Sequence, residues 1–359
     1  MEPLQMTMGI LDLMVQPAFC VSNGMIAGAN ADARRFQIHP GEPVEPLLAD
    51  GLEEYREFRS GCLYLTLNIH TQRFGASVTK NGDFDIFVLE DGADQAELNA
   101  MALAAQELRE PLTSVMTLAD QLFPVIGDDT ASREKAARVN RGLFQMIRII
   151  GNMSDAARYH QCNAGGQEMR NITAIFEELF HKAEVLVEKT GIHLRFHNLS
   201  ERIYMLVNEE QLERAVYNML SNALKFTPRD GTVDIHIRRK DRKIYLTIQD
   251  DGPGVPPGIR SSVHARYQRQ PGLESGHFGI GLGMVLIRSA AAAHGGTVLM
   301  EHPEEGGARI TMTLQIRQTN GANFHSQILK VDYTGELDHA LVELSDVLPA
   351  TLYDDLPSN

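Results

Sequence analysis

Basic residues are in short supply: 33 Lys and Arg face 47 Asp and Glu, leaving a formal net charge of −14 over 359 residues. No long basic block offsets this balance, which argues against non-specific binding to a nucleic-acid backbone. Cysteine is scarcer still. Cys20, Cys62 and Cys162 are widely spaced and make neither a metal pattern nor a disulfide framework, so reduced thiols in a cytoplasmic compartment are expected. The start lacks a basic segment followed by a clean apolar run, so it does not read as a secretory signal. No uninterrupted apolar stretch is long enough to cross a bilayer, and no membrane insertion is expected. What the chain does have is apolar material for cores, 43% of residues, and enough length for two or three domains.

Periodicity divides the chain into four regions, residues 1–92, 93–163, 164–317 and 318–359. In the first, strand candidates around Phe19-Cys20-Val21 and Met25-Ile26-Ala27 flank an Asn23-Gly24 turn. Cys62 to Leu67, Phe74 to Val78 and Phe84 to Leu89 are further strand candidates, with Asn81-Gly82 as a second hairpin signal. In the second region Met101, Ala105, Leu108, Leu112, Val115, Ala119 and Leu122 alternate at spacings of four and three, as do Val139, Leu143, Met146, Ile150, Met153 and Ala157. That spacing predicts two helices, each with one apolar seam. Two helices alone make a thin core, so two copies in a dimeric four-helix bundle are expected; a bundle packed against the N-terminal module is the competing arrangement.

The third region alternates helix and strand patterns. Helices are predicted from Ile172 to Lys189, Gln211 to Phe226 and Leu282 to His294, and strands over 193–196, 203–206, 232–238, 244–249, 297–300 and 309–316. The outcome is an α+β sandwich, a mixed sheet covered on one face by helices. Residues 318–359 add a short amphipathic helix around Leu337, Ala340, Leu341, Leu344 and Val347, read as a packed extension.

Three segments in this region carry chemistry. On the predicted helix Asn218, Asn222 and Lys225 recur near one face. An amide oxygen at Asn222 suits Mg2+, and Lys225 offers a mobile charge to phosphate. Asp250 ends a strand and is followed by Asp251-Gly252-Pro253-Gly254, where Gly252 and Gly254 let backbone approach a ligand closely. Gly279, Gly281 and Gly283 open another helix, whose N-terminal amides suit an anion. In this order the three segments resemble the N box and the two glycine boxes of the histidine-kinase branch of the GHKL ATPases. The resemblance implies ATP and Mg2+ as cofactors, Asn222 as the metal ligand and Asp250 as the adenine reader. It implies nucleotide contacts from Asn218, Lys225, Gly252, Gly254, Gly279, Gly281 and Gly283, and an ATP lid over Val255 to His277. Arg260, Arg266 and Arg269 are charge candidates within that lid and Tyr267 a fastening group, a surface loop being the plain alternative. An asparagine at 218, where water-hydrolysing relatives carry an acid, favours phosphate transfer over hydrolysis. The first region in turn resembles a PAS sensory module, whose small-molecule ligand the sequence leaves unidentified.

Gln106-Glu107-Leu108-Arg109-Glu110-Pro111-Leu112 resembles the family's H box, with Gln106 at the position of the phosphorylated histidine and Glu107 at that of its acid-base partner. Glutamine has no imidazole lone pair with which to attack a phosphoryl group. The expected protein is a cytoplasmic, homodimeric, histidine-kinase-like scaffold that binds ATP without using it for autophosphorylation. The alternative is an active protein-histidine kinase acting on a noncanonical histidine or on a histidine in a partner. A response regulator or histidine-containing protein is the implied partner. His160 and His277 do not occupy the Gln106 position, and no histidine set makes a persuasive metal cluster in the sequence.

Overall fold

The computed structural model describes residues 2–90, 92–125, 129–160, 166–199, 201–254, 282–318 and 337–354. Helix α1 (Glu2–Asp12), which no sequence signal announced, packs beside the first hairpin. That hairpin, β1 (Ala18–Ser22) and β2 (Met25–Ala29), turns through Asn23 and Gly24 with φ of 51° and 75°. Two positive φ values match the right-handed twist of the flanking strands, as the Asn-Gly pair predicts. Helices α2 (Ala31–Arg35) and α3 (Leu52–Glu57) and strand β3 (Leu48–Asp50) lead to the antiparallel strands β4 (Cys62–Ile69), β5 (Gln72–Asn81) and β6 (Phe84–Leu89). Phe19 and Phe87 stack at 4.8 Å in the centre of this module.

Two 31-residue helices follow, α4 (Gly92–Leu122) and α5 (Thr130–His160), packed against one another. Pro111 lies inside α4, where it removes the amide that would bond the Glu107 carbonyl. Only half of the predicted seam faces α5: Ala105, Leu112 and Ala119 are buried, whereas Leu108, Val115 and Leu122 are exposed.

In the third region, α6 (Ile172–Val187), α7 (Glu209–Phe226) and α8 (Leu282–Ala293) cover strands β8 (His193–His197), β10 (Thr232–Lys240), β11 (Lys243–Asp250), β12 (Val298–Glu301) and β13 (Arg309–Gln315). The strand predicted at 203–206 does not join this sheet. It forms β9 (Tyr204–Val207), which pairs with β7 (Glu168–Asn171) in a separate two-stranded ribbon.

The sheet also extends further than the sequence indicated. β12 pairs antiparallel with β4, through Val298↔Tyr64, Leu299↔Leu63 and Met300↔Cys62. One eleven-stranded sheet results, in the order β2-β1-β6-β5-β4-β12-β13-β11-β10-β8, with β3 on β4. Side chains reinforce the junction: Arg288 of α8 lies over the Tyr64 ring and pairs with Glu90 at 2.8 Å, while Glu54 of α3 meets Lys243 at 2.9 Å. Finally, α9 (His339–Glu343) and a 3-10 turn at Ala350–Tyr353 pack on α5, and α9 also touches α6 and α7.

Candidate functional site

Helix α7 is amphipathic, and Asn208 caps its start by accepting a hydrogen bond from the Gln211 amide at 3.1 Å. Burial of Leu212, Ala215, Val216, Met219 and Leu220 fixes its rotation on the sheet. That rotation brings Asn218 against the start of α8, where a Cβ added to Gly283 would fall 2.8 Å from Asn218 Oδ1. At the far end of the helix, a Cβ added to Gly252 would collide with the Phe226 carbonyl oxygen. Segments far apart in sequence therefore meet along one helix, and at Gly252 a side chain would run into backbone.

Asp250 is buried at the end of β11. Its Oδ1 accepts hydrogen bonds from the Gly252 and Ala308 amides at 3.0 and 3.1 Å. Burial raises its pKa, and those amides pull in the opposite direction. Both bonds fall on one oxygen, so the second can accept from an exocyclic amine. The Asp251 carboxylate accepts instead from the Thr232 amide at 2.9 Å, which gives it a turn-closing contact. Gly254 has φ of 72° and packs on His302.

Asn218 is more committed than its sequence position suggested. Its Nδ2 donates to the Arg214 carbonyl at 2.8 Å, and its Oδ1 accepts from Arg148 at 3.3 Å. Asn222, one turn on, is half-buried and fits an amide-oxygen ligand for a divalent ion. Lys225 is occupied too, with Nζ 2.7 Å from Asp346 Oδ2. Burial lowers the Lys225 pKa, and Arg148 adds to that while Asp346 opposes it. Gly279 and Gly281 lie outside the described residues, as do Arg260, Arg266, Tyr267, Arg269 and His277 of the expected lid.

Sequence reasoning missed a charge cluster linking α5, α7 and α9. Glu343 of α9 is fully buried between two arginines: Arg148 of α5 at 3.4 Å and Arg214 of α7 at 3.6 Å. Arg214 also meets Asp155 at 2.9 Å, and Arg148 NH1 meets Asp346 at 2.5 Å. Opposite charges offset the desolvation each would suffer alone; removing one partner from such a set costs about 3–5 kcal/mol. Asp346 feels burial, which raises its pKa, but Arg148 and Lys225 outweigh that and hold it below the usual aspartate value.

Gln106 and Glu107 are exposed on α4, distant in sequence from these contacts. A second cluster lies on the sheet's open face. His197 and His236 stack at 4.5 Å, and with Asp234 their ligand atoms fall within 4.8 Å of one another. The sequence did not suggest this grouping, because cross-strand register alone places His197 opposite His236. Arg195 lies 3.9 Å from Asp234, and Arg238 and Arg309 add positive potential at His236. That field opposes a bound cation.

Comparison with known proteins bears on the same region. Residues 207–318 match the histidine kinase-, DNA gyrase B-, and HSP90-like ATPases. The matched segment runs from the end of β9 through α7, the Asp250 turn and α8 to just past β13. Among curated relatives, a hybrid signal transduction histidine kinase D of Dictyostelium discoideum is 24% identical over 69% of this chain and 16% of its own length. The sensor protein KdpD of Escherichia coli is 27% identical over 60% of this chain and 24% of its own. The sensor protein QseC of Salmonella typhi is 29% identical over 57% of this chain and 44% of its own. The chain thus spans less than half the length of each of these relatives. The matched ATPase segment carries Asn218, Asn222, Lys225, Asp250 and Gly283.

Proposed function

We propose that this chain is a cytoplasmic, dimeric signalling scaffold that binds Mg-ATP without phosphorylating itself. Gln106 carries the proposal: the exposed position on α4 that matches a phosphoacceptor holds a side chain unable to take phosphate. The nucleotide half of the reading draws support from the contacts of Asn218 with Gly283 and of Phe226 with Gly252, and from the free acceptor capacity of Asp250. When bound, Mg2+ would neutralise phosphate charge, with Asn222 as its protein ligand. Asp250 would hold the base, and Lys225 with the α8 amides would meet the phosphates.

The order β2-β1-β6-β5-β4 in the N-terminal module supports a PAS-like sensory role for residues 1–92. The exposed apolar positions of α4 support pairing of residues 93–163 with a second copy, and residues 164–317 would form the ATP-binding domain. Among the described residues no helix is long and apolar enough to cross a membrane. A response regulator or histidine-containing protein is the partner this arrangement would address.

Incubation with γ-labelled ATP and Mg2+ tests the reading. Saturable ATP binding with no label on the protein is the expected outcome. Acid-labile, base-stable label would instead identify an active kinase using another histidine, and label transferred to an added protein would identify a partner acceptor. In Gln106→His, acquired label would show that the rest of the machinery still aligns.

A further inference from the structure

Asp346 is held by cations from two separate elements. One carboxylate oxygen, Oδ2, lies 2.5 Å from Arg148 NH1 and 2.7 Å from Lys225 Nζ. Lys225 belongs to the matched ATPase segment and Arg148 to the hairpin helix α5, outside it. Arg148 is also fixed to the proposed nucleotide site itself, because another of its nitrogens donates to Asn218 Oδ1 at 3.3 Å. Two cations converging on one anionic oxygen, beside the glycine contacts of α7 and α8, make a site for an oxyanion that carries more charge than a carboxylate.

We propose that Arg148 and Lys225 together form a phosphate subsite of the nucleotide pocket, and that Asp346 is its internal competitor. The inference rests on the nucleotide reading given above. A nucleotide phosphate would replace the Asp346 carboxylate between the two cations, with no covalent change, and the side chain would turn toward solvent. The segment carrying Asp346 does not depend on that carboxylate for its place. Arg141 donates to the Ser345 and Asp346 carbonyls at 3.0 Å each, Gln145 donates to the Ser345 carbonyl at 3.2 Å, and Asn140 donates to the Tyr353 carbonyl at 2.9 Å. Glu343 stays buried against Arg148 and Arg214 throughout. The competitor can therefore leave while its tether remains docked, and it returns at high effective concentration.

The test is calorimetric titration of the full chain with Mg-ATP, Mg-ADP and adenosine. Asp346→Asn is expected to tighten Mg-ATP by roughly tenfold, Mg-ADP by less, and adenosine not at all, since only phosphates compete with the carboxylate. Adding Arg148→Gln to Asp346→Asn is expected to remove most of the gain for Mg-ATP while adenosine again holds steady. Arg148→Lys in the same background keeps a cation, and an intermediate affinity is expected. Unchanged Mg-ATP affinity in Asp346→Asn, or equal tightening of adenosine, overturns the competitor while leaving the nucleotide reading intact. Loss of every ligand from every folded variant, adenosine included, overturns both.

Discussion

His294 closes α8 with its imidazole buried and both nitrogens engaged. Nδ1 lies 2.7 Å from the Ala290 carbonyl and must donate to it, and Nε2 accepts from the Asn208 amide at 3.1 Å. The ring therefore joins the cap of α7 to the end of α8, and it can do so only when neutral. Burial lowers its pKa below the ordinary value of 6.5, and that fixes the sign. The stability His294 contributes is complete above 6.5 and is lost as pH falls through that value toward the lower folded one. Thermal melts at stepped pH should show Tm of the wild type falling across this window, whereas His294→Gln should follow a flatter profile. At the residue scale the α7 helix and the turn after Asp250 were legible because each is a contiguous stretch whose backbone demands are local. Arg148 and Asp346 were not: 198 positions separate them, and no spacing rule links a buried arginine to a carboxylate so distant in sequence.

The seven-residue period of α4 and α5 predicted the helices correctly, but an apolar seam does not say what will cover it. Ala105, Leu112 and Ala119 turn inward onto Leu143 and Ile150 of α5. Leu108, Val115 and Leu122, interleaved with them at the same interval, are left 49%, 48% and 60% exposed, as is Val139 of α5 at 51%. An apolar row of this length on two adjacent helices fits a second copy of the hairpin better than solvent. Charge placed there should act on assembly rather than folding. Val115→Glu with Leu122→Glu is expected to convert the proposed dimer to a monomer by light scattering, with helical content by circular dichroism unchanged. Retention of the dimer would locate its interface elsewhere.

Across the whole molecule, the alternation of strand candidates indicated two α/β modules and nothing of their union. Edge strands carry no mark of their neighbour, so the pairing of β12 with β4 had no sequence signal to betray it. One residue at the join is unusually restrictive. Gly61 has φ of 92°, and a Cβ there would collide with the Met300 carbonyl oxygen on β12. Gly61→Ala is therefore expected to lower stability by about 1–3 kcal/mol in denaturant melts and to speed amide exchange over 62–64 and 298–300. Unchanged stability with unchanged exchange over 62–64 and 298–300 would mean that the junction absorbs the added methyl group.

Because β4 and β12 are hydrogen-bonded neighbours, the first ninety residues and the ATPase segment make one continuous plate. Strain introduced in the N-terminal strands would reach the ATPase segment through the sheet itself, with no need for a twist to pass down the long helices. Any swing of the ATPase segment relative to α4 and α5 must then carry the N-terminal strands along with it, or begin by unzipping three residue pairs.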